Sequence, residues 1–286
     1  MFRLLESLPA SLEPALTALR AELASQPAVV VAYSGGVDSA LVAAIAAEQL
    51  GERALAVTGI SPALAPHLRQ EARLQARWIG IAHREIATAE LDDPAYSNNP
   101  SDRCYACKRE LHGRLGSLLP ALMAERGAAQ VLDGVNRDDL TDHRPGIRAA
   151  REHGVRSPLA ELGIDKAGVR ALSRALGFPW WDKPAQPCLA SRFPYGEPIS
   201  ASRLQRVAAA EAWLRQQGWP QVRVRSQGDA ARIELPADQL SGALQRWVDP
   251  AQRSALVGAF LEQGFNAVSV DLEGLVSGKL NRSLRG

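Results

Sequence analysis

The chain has 286 residues, with 33 Lys and Arg against 31 Asp and Glu, a formal net charge of +2. That length holds a sizeable core and has room for two unequal domains, while the balanced charge gives no general attraction to nucleic acid or to an anionic membrane. No apolar run approaches the roughly 18–20 residues of a membrane span, Glu6 and Pro9 interrupt the opening stretch too early for a signal peptide, and three cysteines are an odd number for a disulfide framework. The expected setting is the cytoplasm, without membrane or nucleic-acid partners.

Leucines and alanines recur at helical spacing over 10–25 and stop before Pro27, and 28–33 is a short continuous apolar run, the mark of a strand covered on both faces. The alternation continues with a helix over 40–50, a strand over 53–60, a helix over 64–79, a strand over 83–88, a helix over 103–125 and a strand over 130–135. This order predicts an α/β fold with a doubly wound parallel sheet, Rossmann-like, whose ligands sit at the carboxyl ends of its strands. After a helix over 165–176, residues 178–200 hold six prolines or glycines, two tryptophans and one cysteine without periodicity. From 203 the pattern changes to a helix over 203–217, two alternating strands over 221–227 and 230–235, further helices and a last strand over 267–273. The expected division is a first domain over 1–178, a linker carrying Cys188 over 179–200, and a second, smaller α+β domain over 201–286.

Two loops fall at predicted strand ends. In "YSGGVDS", Gly35 and Gly36 allow positive φ and let a ligand approach the backbone, while the helix that follows offers its first amides and the positive end of its dipole. Such a site binds phosphate, although a glycine-rich turn without a ligand has the same local pattern. The common phosphate loop G-x-x-x-x-G-K-[ST] is absent; the stretch from Gly274 to Lys279 is one residue short and continues with Leu280. In "DGVNRDDLTDHRPG", Asp133, Asn136, Asp138, Asp139 and Asp142 offer oxygen ligands that could hold Mg²⁺ against phosphates, or else form an acidic turn that caps the next helix.

Cys104 and Cys107 form a C-x-x-C pair that can share a metal or act as a redox dithiol. With Cys188 they make three thiolates without a fourth, a set that points to an iron–sulfur cluster with one open iron, the alternative being three unrelated thiols. Arg103, Lys108 and Arg192 stand near them in sequence and would lower thiolate pKa values. Arg223 and Arg225 are two apart on a predicted strand, so they share a face and can fork a phosphate monoester unless they simply face solvent. Glu211 and Glu234 could complete a polar wall there, or be surface charges.

The string Ser34–Gly35–Gly36–Val37–Asp38–Ser39 resembles the S-G-G-x-D-S signature of the PP-loop ATP pyrophosphatases, which adenylate a carboxylate or carbonyl and expel pyrophosphate. That resemblance implies ATP and Mg²⁺ as cofactors, bound by those six residues with Asn136 and Asp138. Over most of 29–282, the strings "DGVNRDDLTDHRPG", "SPLAELGIDKAGVRALSRALGFPWWDKPAQPCLASRFPYG", "VRVRSQGDAARIEL" and "VDLEGLVSGKLNR" resemble the LarE sulfurtransferases, which make the nickel-pincer nucleotide cofactor. The resemblance implies an adenylated carboxylate of pyridinium-3,5-biscarboxylic acid mononucleotide, sulfur delivered from Cys188, and a substrate set of Arg223, Arg225, Ser191, Arg192 and Glu211. It also implies a homo-oligomer supplied by a sulfide source. Some members sacrifice the sulfur of this cysteine, whereas others hold a [4Fe-4S] cluster on three; Cys104 and Cys107 place this chain with the latter. Rival readings are a tRNA thiolase, an amide-forming ligase, and a nucleotide- and cluster-binding sensor without turnover.

Overall fold

The computed structural model describes residues 3–126, 128–141, 145–276 and 278–284. The described chain divides into two compact units, Met1–Glu90 with Asp102–Gln186, and Leu91–Ser101 with Pro187–Gly286. Among the described residues no helix is long and apolar enough to cross a membrane.

In the first unit, α1 (Glu13–Ala24), β1 (Ala28–Ala32), α2 (Val37–Leu50), β2 (Ala54–Ile60), α3 (Pro66–Ile79) and β3 (Ala82–Ala87) follow one another in the predicted order. The strands are all parallel and lie in the order β3-β2-β1-β4, where β4 is Ala129–Leu132. Because successive strand residues face opposite sides, Val29 and Val31 pack into the core that holds α1, α2 and the helix Lys166–Ala175, while Val30 and Ala32 face the core around Leu115 and Val131. Each fully buried valine or leucine there contributes on the order of 1.5–3 kcal/mol. Helix α2 is apolar on most of its surface, and its many alanines let it lie close under the sheet. Edge strand β3 is the polar one, and Glu85 on it is held by Arg69 and Arg73 of α3.

The chain reverses direction across the sheet between β1 and β4, so the loops leaving these neighbours face one crevice at the topological switch point. Both loops singled out in the sequence leave from there.

Residues 91–101, between β3 and the helix that follows, belong to the second unit. There Asp93 caps the short helix α4 (Pro94–Ser97), and fully buried Asn99, at φ 56°, donates its side-chain amide to the carbonyls of Pro194 and Glu197 at 2.7 and 3.0 Å. Helix α5 (Arg103–Arg126), with β4, α6 (Pro145–Glu152), α7 (Pro158–Glu161) and α8 (Lys166–Ala175), returns to the first unit. The remainder of the second unit is α9 (Ala201–Gln216), an antiparallel hairpin of β5 (Arg223–Gln227) and β6 (Ala230–Glu234), α10 (Ala237–Val248), α11 (Pro250–Glu262) and β7 (Ala267–Val270) parallel to β6. The hairpin turns at Gly228, whose φ of 57° suits glycine.

Candidate functional site

The polypeptide leaves β1 at Ala32 and enters α2 through Ser34, Gly35 and Gly36. Gly35 has φ 70°, and a side chain on it would come within 3.1 Å of Ala72 of α3, so glycine is required both by conformation and by space. Buried Ser39 braces the turn from inside: its Oγ accepts from the Ser34 amide at 3.2 Å, donates to the Gly36 carbonyl at 3.1 Å and lies 3.1 Å from Ser34 Oγ. Helix α2 starts at Val37, and Gly36 before it offers no side-chain cap. Its opening amides, which lack intrahelical acceptors in any helix, therefore face a turn shaped for an anion.

The loop after β4 presses against this same helix start. A Cβ on Gly134 would lie 2.5 Å from Ser39 N and 2.8 Å from Ser39 Cα, so only glycine allows the approach. Asn136 then donates to Asp38 Oδ1 at 3.0 Å, joining the two loops, while its own Oδ1 accepts from the amides of Asp138 and Asp139. Asp133 points inward, bound to Ser157 Oγ at 2.7 Å and the Val135 amide; burial pushes its pKa up against those two hydrogen bonds. Asp138 accepts the Lys166 amide at 3.0 Å, so it helps to seat the start of α8. Asp142 lies outside the described residues.

The glycine loop carries no lysine of its own, and two lysines from far along the chain reach it. Lys166 Nζ lies 2.5 Å from Asp38 Oδ2, and Lys183 Nζ donates to the Gly35 carbonyl at 3.2 Å while pairing with Glu71 at 2.6 Å. Neither lysine stands in a local pattern that marks it for this loop. The signal that could have pointed to them is the absence of a lysine within the loop itself.

All three cysteines are thiols, with Cys104 and Cys188 exposed and Cys107 half-buried. Cys104 and Cys107 stand three apart in the first two turns of α5, which puts them on one helix face. Among the described residues no group of three or more His, Cys, Asp or Glu side chains is placed to hold a metal ion.

Cys188 begins a short turn over Leu189–Arg192 that is held by buried arginines. Arg192 donates to the carbonyls of Pro187 and Cys188 and to Ser191 Oγ, and it pairs through two contacts with fully buried Glu211 at 2.7 and 3.1 Å. Burial alone would raise the Glu211 pKa, but the Arg192 charge and hydrogen bond outweigh it and hold the carboxyl low. Arg225 donates to the Ser191 carbonyl at 2.6 Å and pairs with fully buried Glu234 at 2.9 Å. Neither glutamate is a surface charge. Arg223, half-buried on the same face of β5, has its pKa pulled down to about 10 by burial and by the neighbouring charges of Arg192 and Arg225.

Comparison with known proteins fits this geometry. Residues 15–97, which include the glycine loop, match the asparagine synthase family model. The chain is 53% identical over 273 residues to an uncharacterised protein of Synechocystis, covering 96% of this chain and 99% of that one. It is 37% identical over 257 residues to the pyridinium-3,5-bisthiocarboxylic acid mononucleotide synthase of Lactiplantibacillus plantarum, covering 90% of each chain. The chain belongs to the LarE family.

As a LarE family member it is an ATP-dependent sulfurtransferase of the PP-loop class. An uncharacterised protein of Methanocaldococcus jannaschii is similar as well, at 28% identity over 86% of this chain and 89% of its own. In this LarE family member Asp38 is the carboxylate held at the mouth of the loop, so Asp38→Ala is expected to weaken binding of a non-hydrolysable ATP analogue with Mg²⁺ about tenfold or more, and pyrophosphate release with it. Titration calorimetry checks this, and unchanged affinity would remove Asp38 from the nucleotide site.

Proposed function

We propose that the enzyme adenylates a carboxylate of pyridinium-3,5-biscarboxylic acid mononucleotide and converts it to a thiocarboxylate. The observation that carries this reading is a phosphate-shaped glycine loop, joined through Asp38 to Asn136, in a chain aligned over nine-tenths of its length with a synthase of the bisthiocarboxylic product. The substrate carboxylate attacks the α-phosphorus of ATP, and the bond to pyrophosphate breaks. Ser34, Gly35, Gly36, Val37 and Ser39 cradle the departing pyrophosphate with backbone amides and hydroxyls, and Asp38, with Asn136 and Asp138 near it, holds Mg²⁺ against the phosphates. A sulfur nucleophile then adds to the acyl carbon, and AMP leaves with its bonding electrons.

In this proposal Cys104, Cys107 and Cys188 hold a [4Fe-4S] cluster, their exposure and the shared face of the first two being the features that suit soft thiolate ligands. When bound, the cluster supplies sulfur at the sulfide level from an external sulfide source. A second reading draws support from exposed Cys188 standing in a turn held by buried arginines: its thiolate adds to the acyl carbon as AMP leaves, and loss of the Cα proton then breaks the Cβ–Sγ bond, whose electrons leave with the thiocarboxylate sulfur while dehydroalanine remains. Exposed Val248 and Leu272 on the second unit are consistent with a homo-oligomer, and the cytoplasm with its reducing thiol chemistry suits either sulfur route.

Arg223 is proposed to take the 5′-phosphate of the nucleotide, since a guanidinium crowded by Arg192 and Arg225 gains from an anion. Arg225, Arg192, Ser191 and Glu211 complete this substrate set by fixing the turn beside it. Arg223→Ala is expected to raise the apparent KM for the nucleotide about tenfold, in line with one lost charged contact, and to leave ATP affinity unchanged. Steady-state kinetics against each substrate checks this; a wild-type KM would return Arg223 to a structural role. The proposal as a whole is tested by pyrophosphate release, which should need the pyridinium dicarboxylate nucleotide and should not be triggered by tRNA or by aspartate with ammonia.

A further inference from the structure

We propose that Lys183 is a positioning residue that couples occupancy of the phosphate loop to the segment carrying Cys188. The inference rests on reading the glycine loop as the ATP site. Lys183 follows a turn closed by its own amide on the Trp180 carbonyl at 3.0 Å, and Trp180 packs edge-on against Trp78 and at a tilt against Phe178, with ring centroids 5.1 and 5.4 Å away. This aromatic post fixes where the lysine starts. Its ammonium is nearly covered, with the side chain 12% exposed, and it is shared between the Gly35 carbonyl of the loop and Glu71 of α3. Beside it opens a cleft of about 270 Å³ lined by Glu71, Leu74, Gln75, Trp180 and Lys183.

Two properties follow from this placement. Glu71 is 40% exposed, so water screens its hold on the ammonium, whereas a polyphosphate in the loop would offer several oxygens of higher charge. Lys183 therefore turns from Glu71 to the phosphates when the loop fills. Beyond Lys183 the chain runs through exposed residues 184–187 directly into Cys188. Five residues of chain span at most about 18 Å, so clamping Lys183 restricts the volume that Cys188 can sample whatever the rest of the segment does. Departure of pyrophosphate returns Lys183 to Glu71 and loosens the tether, which times the freedom of the cysteine to the adenylation step.

Amide hydrogen exchange over 182–192, measured on the full-length protein with and without a saturating non-hydrolysable ATP analogue and Mg²⁺, tests the coupling. Exchange in the wild type should slow at least fivefold on binding. Lys183→Ala should bind the analogue about tenfold more weakly and, once saturated, show no slowing; Lys183→Arg should restore both effects in part, which a merely structural lysine would not require. Glu71→Gln, which removes the competing carboxylate, should bind the analogue more tightly. Slowing in saturated Lys183→Ala equal to that of the wild type, or a wild type that binds the analogue without slowing, would overturn the inference. A wild type that does not bind the analogue at all would instead overturn the ATP-site reading beneath it.

Discussion

Gly134→Ala is expected to lose nucleotide binding almost completely, with affinity for an ATP analogue down by two orders of magnitude or more. The added Cβ would stand 2.5 Å from Ser39 N, 2.8 Å from Ser39 Cα and 2.9 Å from the Asp38 carbonyl carbon, all of them backbone atoms of the first turn of α2. No side-chain rotation relieves that clash. The β4 loop must move away from the helix, which pulls Asn136 off Asp38 and opens the phosphate loop, and overpacking of this kind costs roughly 1–3 kcal/mol of stability besides. Gly116→Ala is the control, because a Cβ there meets nothing within 4 Å and alanine favours its helix. Calorimetric titration together with thermal unfolding separates the outcomes; wild-type affinity in Gly134→Ala would show that the two loops do not act as one site.

The cysteine variants carry the second large effect. If Cys104, Cys107 and Cys188 hold one cluster, each single Cys→Ser change should lose most of the iron and most of the sulfur transfer, because two thiolates do not retain a cubane against solvent. Adenylation should survive in all three, since none of the cysteines belongs to the phosphate loop. A sacrificial Cys188 predicts a different pattern: Cys188→Ser inactive, Cys104→Ser and Cys107→Ser nearly unaffected, and wild-type protein stopping after one turnover with the mass loss of dehydroalanine. Iron content and intact-protein mass on the same anaerobic samples distinguish the two, and an active Cys188→Ser variant would contradict both.

The fold was legible where burial imposes a period. The apolar run of β1 and the alternating arginines of β5 state their geometry locally, and strands and helices fall where the pattern puts them. What the pattern does not state are contacts between distant stretches. Residues 91–101 have no period, and contacts with a distant stretch place them in the second unit: Asn99 reaches Pro194 and Glu197, and the Ile199 amide donates to the Ser97 carbonyl. Gly134, Lys166 and Lys183 are invisible for the same reason, since each acts on a residue about 95 to 150 positions away. Glu211 and Glu234 read either as a polar wall beside the arginines or as surface charges, because nothing local shows that Arg192 and Arg225 neutralise them in the interior.

The most direct test of the whole account is a single anaerobic incubation of the protein with ATP, Mg²⁺, sulfide and pyridinium-3,5-biscarboxylic acid mononucleotide, read by mass spectrometry of the small molecules. The account predicts a nucleotide in which sulfur has replaced a carboxylate oxygen, appearing together with equal amounts of AMP and pyrophosphate. AMP and pyrophosphate with the nucleotide unchanged, or ADP and phosphate in their place, would contradict it.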